Sequence, residues 1–213
     1  MVSSKEFKQR AWSSLKGKYS NAIAVCFLLN IVLFISGIIS MLGRNISGQI
    51  INQTLASVSS VLTFLMSLLI ENPLNIGVNN YFIKNTDSSP EFSEMFSSFK
   101  HNYKYNVKVM FVTQIKIMLW TLLFVIPGII KSYEYAMVPY ILADNPDLEN
   151  TDVLMLSKNM MDGNKFALFR LEFSFFGWIF LASFTFGIGM IFLLPYMNAA
   201  TAEFYKEIKN NNL

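Results

Sequence analysis

Six stretches of this 213-residue chain are dominated by apolar side chains, and their lengths decide what it can fold into. They are 22–43, 55–83, 107–126, 129–143, 166–186 and 190–204. A helix that crosses a bilayer needs about 20 mostly apolar residues. With no water in the hydrocarbon layer, backbone groups must pair internally, so only helices and closed barrels cross it. These runs are too long and too continuous for barrel strands. The expected fold is all-α: a polytopic membrane protein with about six transmembrane helices, forming a single integral membrane domain over 1–213. The runs at 129–143 and 190–204 are short, so four spans plus two re-entrant pieces is an alternative. Charged residues make up 15% of the chain, against about 25% in soluble domains, which fits the membrane reading.

Between the runs lie short polar connectors. "RNISGQIINQT" separates the first two, and "ENP" at 71–73 interrupts the second. Proline lacks an amide hydrogen and glycine tolerates unusual dihedrals. "PG" at 127–128 and "GIG" at 187–189 therefore read as tight turns that fold runs three and five back into four and six. The first run is longer than a signal-peptide core and no A-x-A-like cleavage site follows it, so it reads as a retained span.

The basic residues are distributed unevenly. Lys5, Lys8, Arg10, Lys16 and Lys18 precede the first run. Lys84, Lys100, Lys104 and Lys108 lie in the region 84–108, Lys158, Lys165 and Arg170 in the region 144–170, and Lys206 and Lys209 in the tail. Only Arg44 falls in an outer loop of the six-span arrangement. Loops rich in Lys and Arg stay cytoplasmic, so both termini are expected there.

An internal repeat is visible. "WSSLKGKY" at 12–19 matches "FSSFKHNY" at 96–103, and "MMDGNKF" at 160–166 is a looser copy. Each precedes an apolar run. Phe7, Ala11 and Leu15, and then Phe92, Phe96 and Phe99, give these segments an apolar face suited to the headgroup layer, with lysines toward anionic lipid. Pro73, Pro139 and Pro195 fall in the second helix of successive hairpins, as helix kinks. The expected plan is three pseudo-repeated hairpins with short amphipathic interfacial helices, in units 5–83, 90–143 and 150–207.

Among the charges inside apolar sequence, Glu71, Lys116, Lys131 and Glu134 stand out. Such charges are costly at membrane depth and face a bundle interior, paired or lining water. Lys131 and Glu134 are three residues apart and share a helix face. They read either as intramembrane charge pairs that lock helices together or as a polar path. The acidic stretch "ADNPDLENTD" at 143–152 reads as a turn with Asn150 or Thr151 capping the next helix.

Chemistry-bearing patterns are sparse. The chain has one Cys, Cys26, and one His, His101, so an intramolecular disulfide is impossible, and the two cannot by themselves supply the four ligands of a structural zinc site. There is neither a phosphate-loop motif nor H-E-x-x-H. No cofactor, metal site or nucleic-acid partner is expected. Two functions follow. One is a non-enzymatic accessory, scaffold or protective module that meets lipid, a membrane-protein partner or its own copies. The other is a small transporter or channel.

At "PGIIKSYEYAMVPYILADNPDL", "SKNMMDGNKFALFRLEFSFFGWIFL" and "FGIGMIFLLPYMNAATAEFY" the sequence resembles domain-of-unknown-function family 975, a bacterial integral membrane family. "KQRAWSSLKGKY" resembles that family's N-terminal segment. The resemblance covers nearly the whole chain. It implies a multi-pass protein of the bacterial cytoplasmic membrane, mainly in Gram-positive lineages, and brings no catalytic residues with it.

Overall fold

The computed structural model describes residues 2–45, 48–146, 148, 152–185 and 187–211. The chain is 80% helical, with no strand among the described residues beyond an isolated bridge between Arg44 and Ile50. The barrel option is thereby closed and the all-α expectation met.

The chain opens with α1 (Ser4–Leu15) and α2 (Tyr19–Ser40). α3 (Gln53–Met66) is capped by Asn52, whose side chain accepts from the Leu55 amide at 2.9 Å. A π-helical turn, Ser67–Glu71, carries α3 without a gap into α4 (Asn72–Asn85). Pro73 has no amide hydrogen to return to the preceding turn. The Leu69 carbonyl there accepts instead from the Tyr103 hydroxyl at 2.8 Å. Neighbouring helices commonly re-satisfy backbone groups in this way at a membrane proline.

A 3₁₀ turn (Phe92–Phe96) and α5 (Ser97–Lys100) precede α6 (Tyr103–Leu123). α7 (Val125–Glu134) and α8 (Val138–Asp144) follow. Then come α9 (Val153–Met160), α10 (Lys165–Phe173), α11 (Phe176–Ser183) and α12 (Ile188–Asn211). Asp152 caps α9, accepting from the Met155 amide at 3.0 Å. The expected caps Asn150 and Thr151, together with Asp147 and Glu149, lie outside the described residues.

One turn expectation and one helix expectation need revision. The chain reverses at Phe124, the extended residue between α6 and α7, and Pro127 and Gly128 lie within α7. Proline is tolerated in a first helical turn, where amides have no partner anyway. Gly128 serves packing rather than turning. A Cβ there would sit 2.3 Å from Thr121 Oγ1 and 2.7 Å from Thr121 Cα, so the glycine lets α6 and α7 approach closely. The run at 129–143 is likewise two helices, broken after Glu134, with Pro139 in the first turn of α8. Gly187 does turn the chain, with φ +84°.

α2 packs on α3, α6 on α7 and α11 on α12. α4 is the hub, touching α8, α12, α2 and the 3₁₀ turn. Gly77 makes the last contact possible, since a Cβ there would lie 1.8 Å from the Met95 carbonyl oxygen.

The packed core is confined to one end of the molecule. It joins Phe7, Ala11 and Leu15 of α1 to the base of α2, to α4, α8, α9 and α10, and to the latter part of α12. The Phe7 ring meets Phe204 edge-on at 5.5 Å. The apolar face of α1 is therefore spent on protein rather than lipid. In the second amphipathic segment Met95 and Ser98 are buried, while Phe92 and Phe99 are exposed. By contrast, the outer part of α2, α3, the α6–α7 tip and the α11–α12 tip expose large apolar side chains. Four helical stretches are long and apolar enough to cross a membrane: Tyr19–Ser40, Gln53–Asn85, Tyr103–Leu123 and Lys165–Ser183.

Candidate functional site

The charges in apolar sequence do not form one cluster. Glu134, at the end of α7, is 6% exposed and bridges two lysines. Lys131 Nζ lies 2.6 Å from Glu134 Oε2 and Lys165 Nζ lies 2.9 Å from Oε1. Lys131 also rests over the Trp120 ring of α6, 5.2 Å from its centroid. The Ser157 hydroxyl of α9 donates to the Glu134 carbonyl at 2.8 Å. One carboxylate thus joins α7 to α10, and its own backbone joins α9. Lys165 was not among the sequence candidates, because a partner so distant in sequence leaves no local spacing signal.

Glu71 lies in the π-helical turn. Its Oε1 is buried without a hydrogen-bond partner, as is Asn72 Nδ2. Asn72 Oδ1 accepts from Gln114 Nε2 of α6 at 3.0 Å. Lys116 is exposed on α6, and no hydrogen bond or ion pair joins it or Glu71 to the Glu134 triad among the described residues. Pro73 and Pro139 each occupy the second position of a helix, α4 and α8. Pro195 is interior to α12 and buried.

A second polar network ties the end of α12 to the packed end of the molecule. Arg10 contacts Glu207 at 2.8 Å and Glu6 at 3.1 Å. The Glu207 hydrogen bond holds the guanidinium above its ordinary range, with burial opposing and Glu6 assisting. Lys206 pairs with Asp87 at 2.6 Å. Lys209 pairs with Asp144, which also accepts from the Tyr205 hydroxyl at 2.9 Å. Asn85 Nδ2 donates to the Ser14 carbonyl at 3.1 Å. The sequence shows this segment only as a polar tail.

Among the described residues no group of three or more His, Cys, Asp or Glu side chains is placed to hold a metal ion. Cys26 is buried, with Asn198 Nδ2 donating to its sulfur at 3.3 Å.

Membrane-length apolar helices, with polar networks gathered at one end, define a helical membrane protein. The sequence pattern of a family described as "protein of unknown function (DUF975)" matches residues 106–212, half of the chain, and the protein belongs to that family. No curated protein and no solved structure matches it.

Proposed function

We propose that the chain is a six-span, non-enzymatic module of the bacterial cytoplasmic membrane, an accessory, scaffold or protective partner of another membrane protein. The observation that carries this reading is the Glu134 triad. Both carboxylate oxygens are committed to lysines on α7 and α10, so the group serves as a tie between helices. Three helical pairs, each preceded by short helical segments, support three hairpin units with both termini cytoplasmic. The positive loops fall on one side of that arrangement.

Mass spectrometry of what co-purifies with the tagged full-length chain in mild detergent tests it. A stoichiometric membrane-protein partner is the expected result. A chain that purifies alone with a small solute, and moves that solute when reconstituted, would contradict it.

One observation favours the transporter or channel reading. Glu71 Oε1 and Asn72 Nδ2 are buried and unpartnered in the helical stretch Gln53–Asn85. Polar groups left open at membrane depth are where pathways form. Proteoliposome flux that falls in Glu71→Gln at unchanged folded yield would establish that reading.

A further inference from the structure

Beside α4 lies a cavity of about 350 Å³, separate from the Glu134 triad and from the Glu71 turn. Its walls come from α4, the 3₁₀ turn and α5, the start of α6 and the end of α8. This volume is at the lower end of the roughly 300–1,000 Å³ typical of small-molecule sites. Most of its lining residues are polar or charged.

Most of the charge in its lining is already matched. Glu94 and Lys84 are paired at 2.8 Å, and Asp144 is paired with Lys209. Both carboxylates in the lining are therefore neutralised by neighbours. Lys100 is exposed and has no partner among the described residues, so among those residues the uncompensated lining charge is positive.

The hydroxyls point the same way. Ser98 is 3% exposed and its oxygen accepts from Asn106 Nδ2 at 2.9 Å. Ser97 accepts from Asn80 Nδ2, also at 2.9 Å. Neither serine proton is donated to an acceptor among the described residues. A serine hydroxyl has one proton to give as well as lone pairs to fill. Buried polar groups of this kind call for a partner. Two hydroxyl donors beside one free ammonium match an oxyanion, because hydrogen bonds to an ionised acceptor are about twice as strong as neutral ones.

We propose that this cavity binds the phosphate of a phosphate ester, through Ser97, Ser98 and Lys100. The same chemistry is offered by a soluble ester and by a phosphomonoester lipid headgroup. The site is independent of the accessory-module reading, since either function accommodates a phosphate.

The test uses the full-length protein, delipidated and returned to phosphatidylcholine nanodiscs. Calorimetric titration with inorganic phosphate and glycerol 1-phosphate probes the soluble source. Native mass spectrometry after addition of phosphatidic acid probes the lipid source. Lys100→Met removes an exposed charge and should leave the fold intact, Ser98→Ala removes the buried donor, and Lys5→Met is the control.

Saturable binding of either probe class is expected, weakened at least about tenfold by Lys100→Met and by Ser98→Ala but not by Lys5→Met. Binding of the soluble esters identifies a soluble ligand. Retention of phosphatidic acid alone identifies a lipid. No binding of any probe, or binding indifferent to both cavity variants in monodisperse protein, would overturn the proposal.

Discussion

Glu134 shows what one buried charge does in this fold. With both oxygens occupied by lysines, it is stable only as part of its triad. Removing one member of a buried pair typically costs about 3–5 kcal/mol, because the remaining charge is stranded. Glu134→Gln and Lys131→Met should each lower folded yield, and the double variant should recover part of the loss. A double variant whose loss equals the sum of the singles in thermal unfolding would show that the pair is not coupled. Glycines give a second residue-scale prediction. Gly128→Ala places a Cβ against the Thr121 backbone, and Gly77→Ala places one against the Met95 carbonyl. Overpacking of this kind costs about 1–3 kcal/mol, so both should unfold at lower temperature than Gly177→Ala, where nothing lies within 4 Å.

At the scale of the elements, helix class and the main apolar runs were legible because composition alone carries them. Run ends were less so. Pro127–Gly128 looked like a turn by residue type, yet the reversal falls at Phe124, and glycine is needed there for a close approach that only three-dimensional packing reveals. The buried face of α1 was readable from the spacing of Phe7, Ala11 and Leu15, but what covers it was not, since α12 is distant in sequence. In the segment 92–100 the aromatic spacing marked an outward apolar face, where Phe92 and Phe99 are exposed, but gave no sign that α4 presses on Met95. Of the site, Lys131 with Glu134 was readable as a local pair, while Lys165 and Gln114 were not. Two predictions belong here. Phe7→Ala should detach α1 from α12 and cost about 3–5 kcal/mol, seen as faster proteolysis near the N-terminus. Tyr103→Phe removes the hydroxyl that serves the Leu69 carbonyl at the π-helical turn and should cost about 1 kcal/mol in chemical unfolding. A Tyr103→Phe protein as stable as the parent would mean that another group serves that carbonyl.

The whole molecule is a packed, charge-tied base from which helical pairs extend with apolar side chains outward. In water those exposed tips would drive aggregation; in lipid they are at home. The arrangement accounts for the sparse charge and the uneven placement of lysine. Six spans and four spans differ most sharply at α9, which is cytoplasmic in the first case and external in the second if α7–α8 re-enters. The decisive measurement is therefore cysteine accessibility in intact cells, in a Cys26→Ser background, with Gln49→Cys and Lys158→Cys and a membrane-impermeant maleimide. The six-span account predicts that position 49 labels from outside and that position 158 labels only after the membrane is opened. Labelling of position 158 in intact cells would contradict it.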